Sequence, residues 1–239
     1  MSGTGSVRKA FHAIGAEVTS LDCDPKAGAD ICCDIMDWQP PPEGTYDVIW
    51  ASPPCTEFSR ALTRRPRQIE EGLRIVRRVM EIIELLKPKA WFMENPATGH
   101  LPKTDLCKDL PHRIVSYCNW GSPEHKYRKL TWIATNVETW QPNPPCSRGS
   151  PCEHLENNRH LELAQRGPLR CREGLRGGSR KQGQLYSMPP NLCLSIARAS
   201  KDWISQTGPG DTLGGVGGGH ERGCSCILEN PVRQAVDGL

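Results

Sequence analysis

Two short runs carry side chains that could do covalent chemistry together: Ser52-Pro53-Pro54-Cys55 and Met93-Glu94-Asn95-Pro96. Cys55 offers a thiol, whose thiolate is a strong nucleophile. Glu94 offers a carboxyl group, the natural acid partner for whatever that thiolate attacks. The two prolines remove backbone donors and fix φ, so the apolar run Val48-Ile49-Trp50 must stop there and Cys55 is held on a stiff loop. Thr56-Glu57-Phe58-Ser59 is expected to begin a helical turn, whose N-terminus would favour the thiolate.

Such a pair must be positioned by strand ends, and the hydrophobic pattern supplies them. Val7 to Ile14 reads as a helix closed by Gly15. Val18 to Asp22 and Asp30 to Asp34 read as strands, each ending in an acid. Val48-Ile49-Trp50 is the next strand. From Gln68 to Lys87, Ile69, Leu73, Val76, Met80 and Ile83 form a helical stripe. Ala90 to Glu94, Arg113 to Tyr117 and Thr131 to Thr135 read as further strands. Strands alternating with helices predict a doubly wound, parallel-rich α/β sheet, which binds ligands at the carboxyl ends of its strands. The domain reading is a core over 1–140, a loop-rich insert over 141–186 broken by Pro and Gly, a returning helix within 187–207, and a Gly-rich tail over 208–239. The tail is expected to lack structure and to be dispensable. Its Leu228-Glu229-Asn230-Pro231 echoes Met93 to Pro96, which we read as coincidence.

The chain has 239 residues, 37% of them hydrophobic, which suits one sizeable core with part of the chain in loops. Its net charge of +3 says little by itself. The placement of the charge says more: Arg60, Arg64, Arg65 and Arg67 follow Cys55, and Arg166, Arg170, Arg172, Arg176, Arg180 and Lys181 form a second run, together suggesting a polyanionic partner. The 12 cysteines in a chain of this length, with no apolar leader, point away from a small secreted disulfide scaffold and towards a reducing, intracellular setting, cytoplasmic or nuclear. No apolar stretch approaches membrane-spanning length, so no membrane partner is expected.

Ser2-Gly3-Thr4-Gly5-Ser6 precedes the first helix and would let backbone approach a ligand closely. Asp22 stands where an acid commonly grips a ribose hydroxyl, and Asp34 where one could receive an adenine amino group.

The order of these motifs resembles the C5-cytosine DNA methyltransferases over residues 1 to 135, with a weaker echo near 186 to 203. The family's Gly-rich motif, strand-end acid, Pro-Cys loop, Glu-Asn dipeptide and Arg motif correspond to Ser2 to Ser6, Asp22, Pro54-Cys55, Glu94-Asn95 and Arg128-Lys129. Ser59 suits the stretch after the cysteine. The resemblance implies a Rossmann-like fold and S-adenosyl-L-methionine held by Ser2, Gly3, Thr4, Gly5, Ser6, Asp22, Asp34 and Pro53. It implies attack of Cys55 on C6 of a flipped cytosine in duplex DNA, with Glu94 at N3 and Arg128 helping to hold the base. A monomer is assumed. Three departures stand out. The apolar strand before the Gly-rich motif has no counterpart ahead of Met1. Pro96 replaces the usual valine after Glu-Asn. The Gln-x-Arg-x-Arg pattern is reduced to His125-Lys126-Tyr127-Arg128-Lys129. An RNA cytosine methyltransferase is the nearest competing reading; the missing strand also allows a catalytically impaired DNA-binding remnant.

In the insert, which is taken as the target-recognition region, Cys146, Cys152, His154 and His160 offer zinc-type ligands, with Cys171 as another candidate for the fourth. A loop-rich segment with little apolar content needs such a staple.

Overall fold

The computed structural model describes residues 5–157, 159–160, 162, 164, 187–207 and 225–227. In chain order its main elements are α1 (Ser6–Ala13), β1 (Glu17–Thr19), β2 (Leu21–Asp22), β3 (Ile31–Cys32), β4 (Val48–Ala51), α2 (Ile69–Leu86) and β5 (Ala90–Pro96). Then follow β6 (His112–Ser116), β7 (Leu130–Thr135), β8 (Leu155–Glu156), β9 (Arg159–His160), α3 (Pro190–Gln206) and β10 (Ser225–Ile227).

Six strands make one mixed sheet in the order β1-β10-β4-β5-β7-β6. The first four are mutually parallel, and β7 runs antiparallel to both β5 and β6. This is the Rossmann-like α/β class. β4 shows why a continuous apolar run becomes its strand. Val48 and Trp50 face one side, with Phe11 of α1 and Leu192 and Ile196 of α3. Ile49 and Ala51 face the other, with Leu73, Val76, Val79 and Ile82 of α2. Side chains alternate across a strand, so a sheet covered on both faces demands apolar residues at every position. β2 and β3 pair separately, because the chain breaks at Ser20, whose N–H and hydroxyl are taken by the Asp30 carboxylate at 2.8 and 2.7 Å.

The place expected to be empty is filled. A strand leading into α1 belongs beside β1 by the right-handed βαβ connection, and β10 lies there. It pairs parallel with β1 (Val18 opposite Cys226) and with β4 (Ile49 opposite Ile227). The ladder groups of β1 and β4 therefore have a partner strand, drawn from the stretch read as a structureless tail. The other tail residues, including Glu229, lie outside the described residues. Among the described residues no helix is long and apolar enough to cross a membrane.

Candidate active site

Four chain segments converge at one edge of the sheet. β4 and β5 are parallel neighbours, with Ala51 opposite Met93, so Cys55 beyond β4 and Glu94 near the end of β5 share the carboxyl edge. β7 is antiparallel, so its beginning falls at the same edge: Thr131 is opposite Pro96, and the Ala97 N–H donates to the Leu130 carbonyl at 3.0 Å. β6 ends there too, with Ser116 opposite Leu130, and the Tyr117 N–H donates to the Lys129 carbonyl at 3.3 Å. Cys55, Glu94, Tyr117 and Lys129 are thereby gathered from positions far apart in the chain.

The loop bearing Cys55 is a turn, not the start of a helix. The Phe58 N–H donates to the Cys55 carbonyl at 3.1 Å and the chain then turns away. Glu57 instead serves α2: its carboxylate accepts the Gln68 N–H at 2.7 Å and pairs with Arg65, which holds it below the usual carboxylate range. Arg67 returns to the Ser59 carbonyl at 3.1 Å. Two of the four arginines in this run thus hold the loop in shape, and Arg60 borders a small open pocket with Cys55, Asn95 and Gly99. Asn95 ties the two motifs together, its Nδ2 donating to the Pro53 carbonyl at 2.9 Å. Phe58 is the anchor. It is fully buried against Gly72 of α2, and its carbonyl accepts the His100 N–H at 2.9 Å.

Burial pushes the Cys55 thiol above its ordinary value, the negative charge of Glu94 pushes it further, and Lys129 opposes both. The expected lowering by a helix N-terminus is absent because no helix starts there. The Glu94 Oε1 atom is buried and has no hydrogen-bond partner among the described residues. The Lys129 Nζ lies 3.4 Å from the Tyr117 hydroxyl and 4.7 Å from the centre of its ring. Tyr117 is fully buried; burial first, then Glu94, keeps its hydroxyl well above the usual range and hence neutral.

Arg128 is not part of this group. From Tyr127 to Lys129 the chain alternates buried, exposed, half-buried, so Arg128 faces solvent and Lys129 turns in. The positive charge of Arg128 bears on His160 instead, reinforcing burial, the larger cause, in lowering the imidazole below its usual value. His125 and Tyr127 are core residues: His125 meets Ser122 Oγ at 2.8 Å and Ser187 Oγ at 3.0 Å.

The cofactor candidates flank this edge. Gly5 takes φ +57° just before α1, a left-handed conformation that favours glycine, and the space where a Cβ would stand is open. The Ser6 hydroxyl accepts the Met188 N–H at 3.3 Å. Asp22 is fully buried at the end of β2, its Oδ1 accepting the Asp24 N–H. Asp34 is exposed and accepts the Met36 N–H at 3.0 Å. Pro53 is buried. Ser2, Gly3 and Thr4 lie outside the described residues, as do Cys171, Lys181 and the second arginine run.

A thiol cluster stands behind the same edge. Cys118, Cys146, Cys152 and His160 place their ligand atoms within 4.8 Å of one another. Burial, with Cys152 and Cys146 adding to it against a hydrogen bond to Ser116, pushes the Cys118 thiol up to about 12. His154, expected in this set, pairs with Glu153 at 3.3 Å. Cys118 was not foreseen; its only signal is its place just past a strand ending at the carboxyl edge.

Comparison with known proteins bears on both motifs. The family model described as C-5 cytosine-specific DNA methylase matches residues 28–102, which contain Cys55 and Glu94. A relative, the "Probable DNA (cytosine-5)-methyltransferase" of Frog virus 3 (isolate Goorha), is 31% identical over 222 residues, covering 82% of this chain and 95% of the relative.

Proposed function

We propose a mechanism from the premise that the chain belongs to the C-5 cytosine-specific DNA methylase family, and is thus a DNA cytosine-5 methyltransferase. The observation that carries the mechanism is the convergence of Cys55, Glu94 and Lys129 at one sheet edge, their charges acting on one another.

C5 of cytosine is a poor nucleophile until C6 is saturated, so the reaction needs a covalent partner. Cys55 takes that role: its thiolate adds to C6 of a cytosine turned out of the duplex. The Glu94 carboxyl, whose buried Oε1 has no partner among the described residues, faces the N3 side of the ring and donates its proton to N3, neutralising the negative charge that develops there as C6 is attacked. Lys129 supplies the cation for the ring's exocyclic oxygen, in place of Arg128. Asn95 keeps the Pro53-Pro54-Cys55 loop at its attack position. The methyl donor the family implies is S-adenosyl-L-methionine, which supplies an electrophilic methyl group when bound. The open left-handed turn at Gly5 and the buried acid at Asp22 fit such a ligand; Ser2, Gly3, Thr4, Ser6, Asp34 and Pro53 complete the proposed cradle. Water reaching the open pocket beside Cys55 takes the C5 proton, and the electrons of that C–H bond re-form the C5–C6 double bond as Cys55 leaves as thiolate. Residues 141–186 are proposed to read the DNA, with Arg60 and Arg64 at its phosphates.

The test is a covalent trap. Duplex DNA carrying 5-fluorocytosine should form a stable adduct with the native chain and none with Cys55→Ser, which should still bind DNA. An adduct on the Ser variant, or none on an active native chain, overturns the assignment.

A further inference from the structure

Cys118 lies in a tight turn after β6, Cys146 in the Pro-rich loop after β7, Cys152 just before β8 and His160 on β9. Cys118 and Cys146 are buried; Cys152 and His160 are half-buried. We propose that Cys118, Cys146, Cys152 and His160 bind one Zn2+ in a closed tetrahedral site that fastens the 141–160 segment to the end of β6.

The geometry is already close to what the ion requires. With bonds of about 2.3 Å to sulfur and about 2.05 Å to nitrogen, a tetrahedron has sulfur–nitrogen edges of about 3.5 Å. Here Cys146 Sγ lies 3.6 Å and Cys152 Sγ 3.2 Å from His160 Nε2. The donor set selects the metal. Three thiolates and an imidazole suit zinc, whereas magnesium and calcium want oxygen ligands, and none of the four is a carboxylate. Four protein ligands leave no open position, so the site is structural and not catalytic.

The surroundings support the ligands. The Cys146 N–H donates to Ser116 Oγ at 2.7 Å, and the Cys152 N–H points to Cys146 Sγ at 3.4 Å, a contact that favours a thiolate. Asn119, beside Cys118, donates to the Pro144 carbonyl at 2.7 Å, and Asn143 returns a bond to the Asn119 carbonyl at 2.8 Å. Binding releases the three thiol protons, so the occupied site carries one net negative charge, and Arg128, whose charge reaches His160, offsets it. The need is plain as well. β8 and β9 make a hairpin with two residue pairs, which cannot hold itself in water. The metal would tie it to Tyr117 and Lys129 through Cys118, linking the insert to the catalytic edge.

Elemental analysis and cobalt substitution on the full chain test this without reference to activity. The native chain should carry about one zinc, and Co2+ in its place should show tetrahedral ligand-field bands with thiolate charge transfer. Cys118→Ser should lower occupancy at least about tenfold, while His154→Ala and Cys55→Ser keep it. Should Cys118→Ser fail to fold, Cys118→His retains the ligand count and should restore both metal and solubility. A soluble native chain with neither zinc nor cobalt bands overturns the proposal, and so does metal lost from His154→Ala but kept by Cys118→Ser. Retention of metal by Cys55→Ser separates this result from any failure of the methyl-transfer mechanism.

Discussion

Gly72→Ala tests how the Cys55 loop is held. Gly72 is buried in α2, and a Cβ built there would meet Phe58 Cζ at 2.8 Å, Phe58 Cε2 at 3.1 Å and Glu57 Cβ at 3.2 Å. Carbon pairs rest at about 3.5–4.0 Å, so the ring must retreat by at least about 0.7 Å. It has no easy exit. Phe58 is fully buried, and its carbonyl is held by His100. Alanine gains about 1 kcal/mol over glycine in a helix, whereas overpacking costs about 1–3 kcal/mol. The net is a loss of about 0–2 kcal/mol, a fall in Tm of up to about 8 °C for a chain of this size. The kinetic effect is larger than stability alone suggests. Phe58 is bonded to Cys55 through its N–H, and a displacement of about 1 Å at the reacting atom costs roughly a hundredfold; half of that predicts a kcat lowered by about tenfold. Single-turnover methyl transfer measured beside a calorimetric melt separates the two effects. Adding Phe58→Leu to Gly72→Ala should recover part of the rate by shortening the colliding side chain. Full activity with a raised Tm in Gly72→Ala alone would refute the anchoring role of Phe58.

Because burial and Glu94 raise the Cys55 thiol above its ordinary value, the thiolate fraction at neutral pH is small and grows about tenfold per pH unit. Adduct formation in single turnover should therefore climb steadily from pH 7 to 9. Lys129→Ala should move the climb to higher pH and Glu94→Gln to lower pH; a flat profile would contradict this. Ending the chain at residue 207 removes β10 and its two ladders, at about 1 kcal/mol per backbone hydrogen bond about 3–5 kcal/mol in all. A Tm lowered by about 10 °C is expected, and a truncated chain that melts like the full one would show that β10 contributes nothing to the sheet.

What could be read from the residues was what local pattern determines. The stripe of α2 and the apolar runs of β4, β5 and β7 announce themselves because each is buried on a face its own periodicity defines. The Pro-Pro-Cys and Glu-Asn runs stand out because prolines and acids are costly inside strands. What failed was whatever tertiary contact decides. β10 has three residues in a Gly-rich stretch, and only its two neighbours make it a strand. Arg128 and Lys129 differ by one position, and one position reverses which side of an extended chain is presented. Arg128, singled out for its residue type, faces solvent, while Lys129 turns in against Tyr117. Cys118 is far from Cys146 in sequence, and the end of β6 joins them. Gly72 carried a signal that went unused: glycine in a long helix is unfavourable without a packing reason.

The position of β10 also sets when the molecule can be completed. Its strand partners β1 and β4 leave the ribosome long before it does. At about 5–20 residues per second, the wait between β4 and β10 is on the order of 10–35 s. Through that interval β1 and β4 each present an unpaired edge, the kind of surface that recruits other chains. The central sheet is thus closed by the last strand among the described residues, and its formation couples residues at high sequence separation, which slows folding. Expression at low temperature with slowed initiation should favour the closed sheet over edge-to-edge association.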